Sequence, residues 1–288
     1  MPIQIRPLSY ALGAEVSGVD LARPVDKATQ AAIRKAWLEH LVIVFRGQAL
    51  TPDRQIAFGR MFGELDDHKS VPFYRHPEHP EIYLITNKKI GGKESQTKDT
   101  GRLWHSDHSF TTHPTMASML YCLEIPPVGG TTLFSNMVRA YETLSPTLRS
   151  VLDGLEAVHS LEHYSARNPY FTARDPEQIR KMNELSPPVA QPVVRVHPET
   201  GRKALYIGEK VSCFVGMTPE ESRPLIDYLV RHATRPQFVY RHQWRADDIV
   251  LWDNRCTMHI ALGDYEEGEI RHLERTTVKG TPSGYYLQ

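Results

Sequence analysis

The stretch from 238 to 259, FVYRHQWRADDIVLWDNRCTMH, carries the densest structural signal in the chain. Phe238 to Trp244 and Ile249 to Trp252 are rich in aromatic and β-branched residues and read as strands, with Asp247-Asp248 as the turn between them. The second strand ends in the polar turn Asp253-Asn254-Arg255, and the chain re-enters to deliver His259. Outward from this stretch, strands are predicted at Ile82 to Thr86, Ala117 to Leu123, Thr131 to Ser135, Val193 to Val196, Ala204 to Ile207 and Arg271 to Val278. Near the start, Ile3 to Pro7 is a short strand. Leu41-Val42-Ile43-Val44-Phe45 is an unbroken apolar run of strand length, expected to be buried on both faces.

Helices are fewer. Thr29 to His40 places Ile33 and Trp37 on one face, and Thr51-Pro52 supplies an N-cap and a first-turn proline for a helix that ends near Gly63. Pro146 to Leu155 is a third, and Thr218-Pro219-Glu220-Glu221 is a capping box that opens a fourth, running to about His232. Many short strands with a few helices predict a mainly β fold, a sandwich or jelly roll with flanking helices. The polar stretch 88–101, KKIGGKESQTKDTG, is expected to be a mobile surface loop of the length often used as a lid.

Composition narrows the partners. Lys plus Arg equals Asp plus Glu at 34 each in 288 residues, so no global field attracts nucleic acid or an anionic membrane, and a small molecule is the expected partner. No apolar run is long enough for a membrane span, and the opening MPIQIRPLSYALG lacks a signal-peptide pattern. Three distant cysteines, Cys122, Cys213 and Cys256, form neither a disulfide framework nor a CxxC site. The expectation is a cytoplasmic protein.

Trp104-His105-Ser106-Asp107 is the first candidate metal motif. Residues two apart in an extended segment share a face, so His105 and Asp107 could reach one divalent cation. The spacing alone is weak. About 1.7 His-x-acid pairs are expected by chance from this composition, against five present: His76/Glu78, His79/Glu81, His105/Asp107, His197/Glu199 and His272/Glu274. Only one of the five uses Asp, and three of the others carry an intervening proline that suits a turn. A third ligand must come from far along the chain. His259 is the candidate, although spacing leaves His242 and His272 open. Two histidines and a carboxylate would make a facial triad with open positions. Farther on, alternation puts Arg271, Leu273, Arg275 and Thr277 on one face of a strand, which would suit an anion-lined pocket if that face turns inward.

The segments LVIVFRGQ (41–48), QIAFGRMFGEL (55–65), LWHSDHSF (103–110), GGTTLF (129–134), VRVHPETGRKALYIG (194–208) and 238–259 together resemble the taurine / 2,4-dichlorophenoxyacetate (TauD/TfdA) dioxygenase family. The likeness runs from about residue 10 to residue 279, with His-x-Asp, a distal WDNR-x₃-His and a later Arg in the family's order. It implies a double-stranded β-helix (jelly roll, clavaminate synthase-like), one domain over 1–288, Fe(II), 2-oxoglutarate as co-substrate, and O₂. Carried over by position, His105, Asp107 and His259 are the metal ligands, and Thr132 with Arg271 holds the distal carboxylate of 2-oxoglutarate. Arg275 and His68 are implied to meet the substrate's acid end. One extra residue between Tyr265 and Arg271 makes the arginine assignments rest on the R-x₃-R pattern.

Substrate positions depart from the taurine pattern. Gly101 replaces an amide side chain, His108 a small apolar one, and Ser165 and Val211 stand where that pattern has aromatic residues. The resemblance thus implies a wider pocket and an organic acid larger than taurine, such as an aryloxyalkanoate cleaved at its ether. Taurine, another sulfonate or an alkyl sulfate are the alternatives. A homo-oligomer is expected. From another class, a zinc-dependent hydrolase could use the same three ligands with a bound water and would need neither O₂ nor the Thr132/Arg271 pair.

Overall fold

The run Val42–Phe45 is wholly buried at the heart of a seven-stranded sheet in the computed structural model, which describes residues 3–69, 74–90, 92, 95, 97–170 and 175–287. Across that sheet the strands run Gln4–Pro7, Ala14–Ser17, Val42–Phe45, Ile249–Asp253, Ala117–Glu124, His272–Val278 and Ile82–Thr86. All pair antiparallel except Ala14–Ser17 with Val42–Phe45. The chain-distant order brings the C-terminal arginine strand between 82–86 and 117–124, with seven of its residues in the ladder.

Side-chain alternation explains why this run is apolar throughout. Val42 and Val44 join one buried cluster with Trp252, Leu273, Phe134, Tyr240 and Met258. Ile43 and Phe45 join another with Trp37, Phe58 and Phe62 from the helices Lys27–His40 and Pro52–Arg60. The large sheet is therefore sandwiched between those helices and a three-stranded sheet of Val239–His242, Thr132–Asn136 and Thr257–Ala261. Two facing sheets with helices outside make a jelly roll, as the strand pattern predicts. A four-stranded sheet (Val211–Phe214, Glu156–His159, Val189–Pro192, Tyr285–Tyr286) and a two-stranded one complete the β structure.

Capping chemistry sets the helices where expected. Thr51 caps Pro52–Arg60, and the Thr218/Glu221 capping box opens Pro219–Ala233. The sequence reading missed helices Leu161–Arg167 and Pro176–Glu184, which form a small satellite cluster beside the site described below. No helix among the described residues is long and apolar enough to cross a membrane. The cysteines are unpaired.

Most described residues of 88–101 are exposed or half-buried, as expected of a surface loop, but two are not. Ser95 and Thr97 are buried, and Thr97 Oγ1 accepts from Thr86 N at 3.2 Å. A hydroxyl can thus stand in for a ladder carbonyl, which lets a polar segment go inside. Residues 91, 93–94 and 96 of that loop lie outside the described residues.

Candidate metal centre and substrate cavity

His105 and His259 are held side by side by a single antiparallel bridge, His105 N donating to His259 O at 3.0 Å and His259 N to His105 O at 2.9 Å. Their ring centroids lie 4.3 Å apart. Asp107 does not continue that bridge as a strand. The chain turns at it, and the turn swings the carboxylate against both rings. His105 Nε2 is 3.7 Å from Asp107 Oδ1, and His259 Nε2 is 4.0 Å from Oδ2. These separations exceed hydrogen bonds, yet the three donor atoms lie within 4.8 Å of one another and all three residues are buried. Two imidazole nitrogens and a carboxylate oxygen so spaced fit a shared divalent ion of the Fe(II) kind. His242 and His272, left open by spacing, lie outside this group.

Neighbouring groups aim the ligands. His105 Nδ1 sits 2.7 Å from the Leu103 carbonyl, which assigns Nδ1 as donor and leaves the Nε2 lone pair for a metal. Ser118 Oγ donates to Asp107 Oδ2 at 2.6 Å and Arg275 Nη1 to Oδ1 at 3.2 Å, while Asp107 N donates to Asn254 Oδ1. Asn254 is itself fixed by Trp252 Nε1 and bonds Ser118. Burial would raise the Asp107 pKa, but Arg275, followed by the two histidines, holds it well below the usual carboxylate range. Burial, reinforced by neighbouring cations, lowers both histidines. At neutral pH the centre therefore presents an anionic carboxylate and two neutral imidazoles, the protonation states a metal needs.

Two spaces open from it. A narrow cleft of about 30 Å³ is walled by Thr132, Arg271, His259 and Gly101. Thr132 Oγ1 accepts from Trp244 Nε1. Arg271 is 5 % exposed, donates from Nε to Gly130 O, and has no carboxylate partner in ion-pair range among the described residues. Burial lowers it to about 10. A buried guanidinium without a carboxylate partner among the described residues is able to accept one.

The larger space, about 290 Å³, is walled on its polar side by Arg275, Lys210, His68 and His108, with Gly101, Asp66, Asp99 and Asp107 in the same lining. Tyr83, Phe110, Tyr164, Leu161 and Met182 supply the apolar side. His68 is buried with Nε2 unpartnered, and burial, then Arg275, drives it down to about 3. His108 falls to about 4 for the same reasons, and its Nδ1 lies 3.1 Å from Thr115 Oγ1.

Ser165 and Val211 are not brought to either space. On the helix Leu161–Arg167 the spacing of Leu161, Tyr164 and Asn168 selects the cavity face, and Ser165 turns away to bond Glu162 O. Val211 is wholly buried in the core while its neighbour Lys210 enters the cavity. The expected loss of aromatic lining is corrected accordingly, because Tyr164, Phe110 and Tyr83 line the cavity. The strand His272–Val278 also differs from a one-faced reading. Arg271, Leu273, Arg275 and Thr277 face inward, but Glu274 and Thr276 are buried too, beneath the helix Pro52–Arg60. Sequence reasoning missed Lys210, Tyr164, Ser118 and Asn254. Only Asn254, inside the quoted WDNR turn, carried a signal.

The family model for the taurine catabolism dioxygenase TauD, TfdA family matches residues 4–277. The chain belongs to this family. An α-ketoglutarate-dependent 2,4-dichlorophenoxyacetate dioxygenase of Cupriavidus pinatubonensis (strain JMP 134 / LMG 1197) is 37% identical to it, over 96% of this chain and 98% of that one. An α-ketoglutarate-dependent sulfate ester dioxygenase of Pseudomonas putida is 34% identical, over 97% and 90%. Among solved structures, a taurine dioxygenase from Burkholderia xenovorans superposes with a TM-score of 0.82 at 37% identity, covering 99% of this chain and 95% of that one. AAD-2 in complex with Mn(II) and N-oxalylglycine gives 0.83 at 31%, covering 98% and 99%. As a TauD/TfdA protein the chain is a non-haem iron oxidoreductase whose reagents are Fe(II), 2-oxoglutarate and O₂. The zinc-hydrolase alternative is thereby set aside.

Proposed function

We propose that this dioxygenase oxidises a small organic acid, foremost an aryloxyalkanoate of the 2,4-dichlorophenoxyacetate kind. Hydroxylation beside the ether oxygen would give a hemiacetal that collapses to a phenol and a carbonyl acid. The observation that carries this reading is the cavity lining, in which Lys210, with no carboxylate of the described residues in ion-pair range, and Arg275 stand with aromatic and aliphatic side chains. The 37% identity to a 2,4-dichlorophenoxyacetate dioxygenase supports it.

In this reading His105, Asp107 and His259 hold Fe(II), and Thr132 with Arg271 takes the distal carboxylate of 2-oxoglutarate. Bound iron and 2-oxoglutarate supply the oxidising chemistry, O₂ being divided between the hydroxylated substrate and succinate, with release of CO₂. The chain's own part is positional. Arg275 and His68 meet the substrate's acid end, Gly101 and His108 shape that wall, and the aromatic wall excludes water from the reacting carbon. Gly101 has φ +80, and a Cβ there would stand 3.3 Å from His105 Cε1, so glycine keeps the ligand free to approach.

The cleft beside Arg271 is too narrow for a five-carbon diacid as it stands, having room for only a water or two. Thr100 and Gly101 form part of its wall, which supports a lid role for 88–101. Limited proteolysis within 88–101 should slow when iron, 2-oxoglutarate and substrate are present together; an unchanged rate removes the lid.

Succinate release from 2-oxoglutarate, measured across aryloxyalkanoates, taurine, other sulfonates and alkyl sulfates, tests the substrate assignment. Coupled turnover is expected with aryloxyalkanoates. Preference for an alkyl sulfate would favour the second reading, which the sulfate ester dioxygenase relative supports. The same proposal places the enzyme in the cytoplasm as one domain over 1–288. It would act as a homo-oligomer on small molecules, without nucleic acid or membrane. Sedimentation of the purified chain checks its assembly.

A further inference from the structure

Lys210 stands apart from the other cations of the cavity. It is 6 % exposed and belongs to the same wall as Arg275. Arg275 has its charge met by the Asp107 carboxylate and lies over the Tyr83 ring. The only side-chain hydrogen bond of Lys210 among the described residues runs from Nζ to the Ser106 carbonyl at 2.9 Å, and no carboxylate among them lies in ion-pair range. Its ammonium is pinned 5.2 Å from the Phe110 ring and 5.6 Å from the Tyr164 ring, both of which line the cavity. Asp107 eases the burial of this ammonium from a distance, but a buried cation whose direct contacts are a neutral carbonyl and two ring faces is still unfavourable. An anion arriving in the cavity would reverse that cost.

We propose that Lys210 is a specificity-determining residue, a second cationic anchor that binds the prime substrate's anionic group and makes the enzyme select anions over neutral analogues. The inference rests on the reading of this cavity as the prime-substrate site. Because Ser106 lies between His105 and Asp107, the Ser106–Lys210 bond ties the anchor to the metal centre. A bound acid is thereby positioned relative to the metal ligands as well as held. Arg271, on the separate cleft, is untouched by this role.

The experiment is anaerobic calorimetric titration of the Fe(II)- and 2-oxoglutarate-loaded protein with phenoxyacetate, its methyl ester, taurine and an alkyl sulfate. Parent, Lys210→Met and Lys210→Arg proteins are compared after their folding is checked by circular dichroism. Lys210→Met should weaken the tightest anion at least tenfold, leave the methyl ester within twofold, and leave 2-oxoglutarate affinity, titrated separately, within twofold. Lys210→Arg should recover part of the loss and keep the assignment testable if the methionine variant does not fold. Equal anion affinity in the parent and a folded variant overturns the anchor while leaving the substrate reading intact. An alkyl sulfate that binds the parent better than phenoxyacetate, with the same loss at Lys210→Met, upholds the anchor and overturns the aryloxyalkanoate. No binding of any probe to the parent overturns both.

Discussion

Among the described residues two buried groups bring three metal-ligand-type side chains together, including a histidine and an aspartate, and only one is built as a metal centre. In His105, Asp107 and His259 each carboxylate oxygen accepts one hydrogen bond, from Arg275 or Ser118, and keeps a lone pair toward a histidine. In His197, Asp253 and Cys256 nothing is left over. Asp253 Oδ1 accepts from the Arg255 backbone N and Nε, and Oδ2 accepts from Arg255 Nη2 at 2.6 Å and His197 Nε2 at 2.9 Å. His197 Nδ1 already accepts from Glu199 N and Thr200 N. Burial pushes the Cys256 thiol well above its usual range, so it stays protonated and is a poor ligand. Residue type and burial therefore do not separate a metal centre from a structural lock. The occupancy of the lone pairs does.

Exchanging the two aspartates in turn breaks the comparison most strongly. Asp107→Ala should bring iron-dependent succinate release to background and abolish anaerobic Fe(II) binding, while the protein stays folded. Asp253→Ala should do the reverse. It leaves Arg255 without its principal buried counter-ion, and loss of one partner of such a pair costs about 3–5 kcal/mol of stability, read from urea unfolding of the metal-free protein. The folded fraction should still bind iron at parent stoichiometry. A folded Asp253→Ala protein with no iron binding would make the second group part of the centre.

The contrast also shows where the sequence was readable. The sheet strands were legible because apolar runs such as Val42–Phe45 and the WDNR turn are local signals. The order of His105, Asp107, Thr132, His259 and Arg271 was legible through family likeness. His-x-acid spacing alone was not enough, since five such pairs occur in the chain. What separated the two groups is the fold: the bridge between His105 and His259, and Arg255 filling Asp253. Lys210 was invisible for a related reason. Its meaning comes from the absence of a buried counter-ion, which depends on residues distant in sequence. Ser165 and Val211 went astray by a single position, because one residue on a helix or strand changes the face.

A smaller effect sharpens the division of roles within the site. Arg271→Ala should raise the 2-oxoglutarate dissociation constant roughly 10- to 100-fold, the loss expected for a charge-assisted carboxylate contact, with Fe(II) affinity unchanged. Arg275→Ala should instead weaken prime-substrate binding more than 2-oxoglutarate binding. Loss of iron affinity in Arg275→Ala would mean that its contact with Asp107 outweighs any contact with substrate.

The least change is expected from a buried histidine that belongs to neither group. His159 lies against Tyr206 with both ring nitrogens unpartnered, and burial, then Lys210 and Arg195, lowers it to about 3. Unfolded, it would titrate near 6.5. Above that value both states are neutral and it contributes no slope. As pH falls below about 6.5 the unfolded chain takes up a proton that the folded one refuses until about pH 3, so stability is lost across that window. Asp253 differs. Burial raises its pKa, but the hydrogen bonds from Arg255 and His197 outweigh that and lower it, so its stabilisation disappears only as pH falls through the carboxylate range. Urea midpoints of the chelator-treated protein should therefore decline between pH 6.5 and 5. His159→Phe, which keeps the ring stack on Tyr206, should reduce that slope by close to one proton. A variant whose slope matched the parent's would show that another buried group, such as His68 on the cavity wall, accounts for the proton instead.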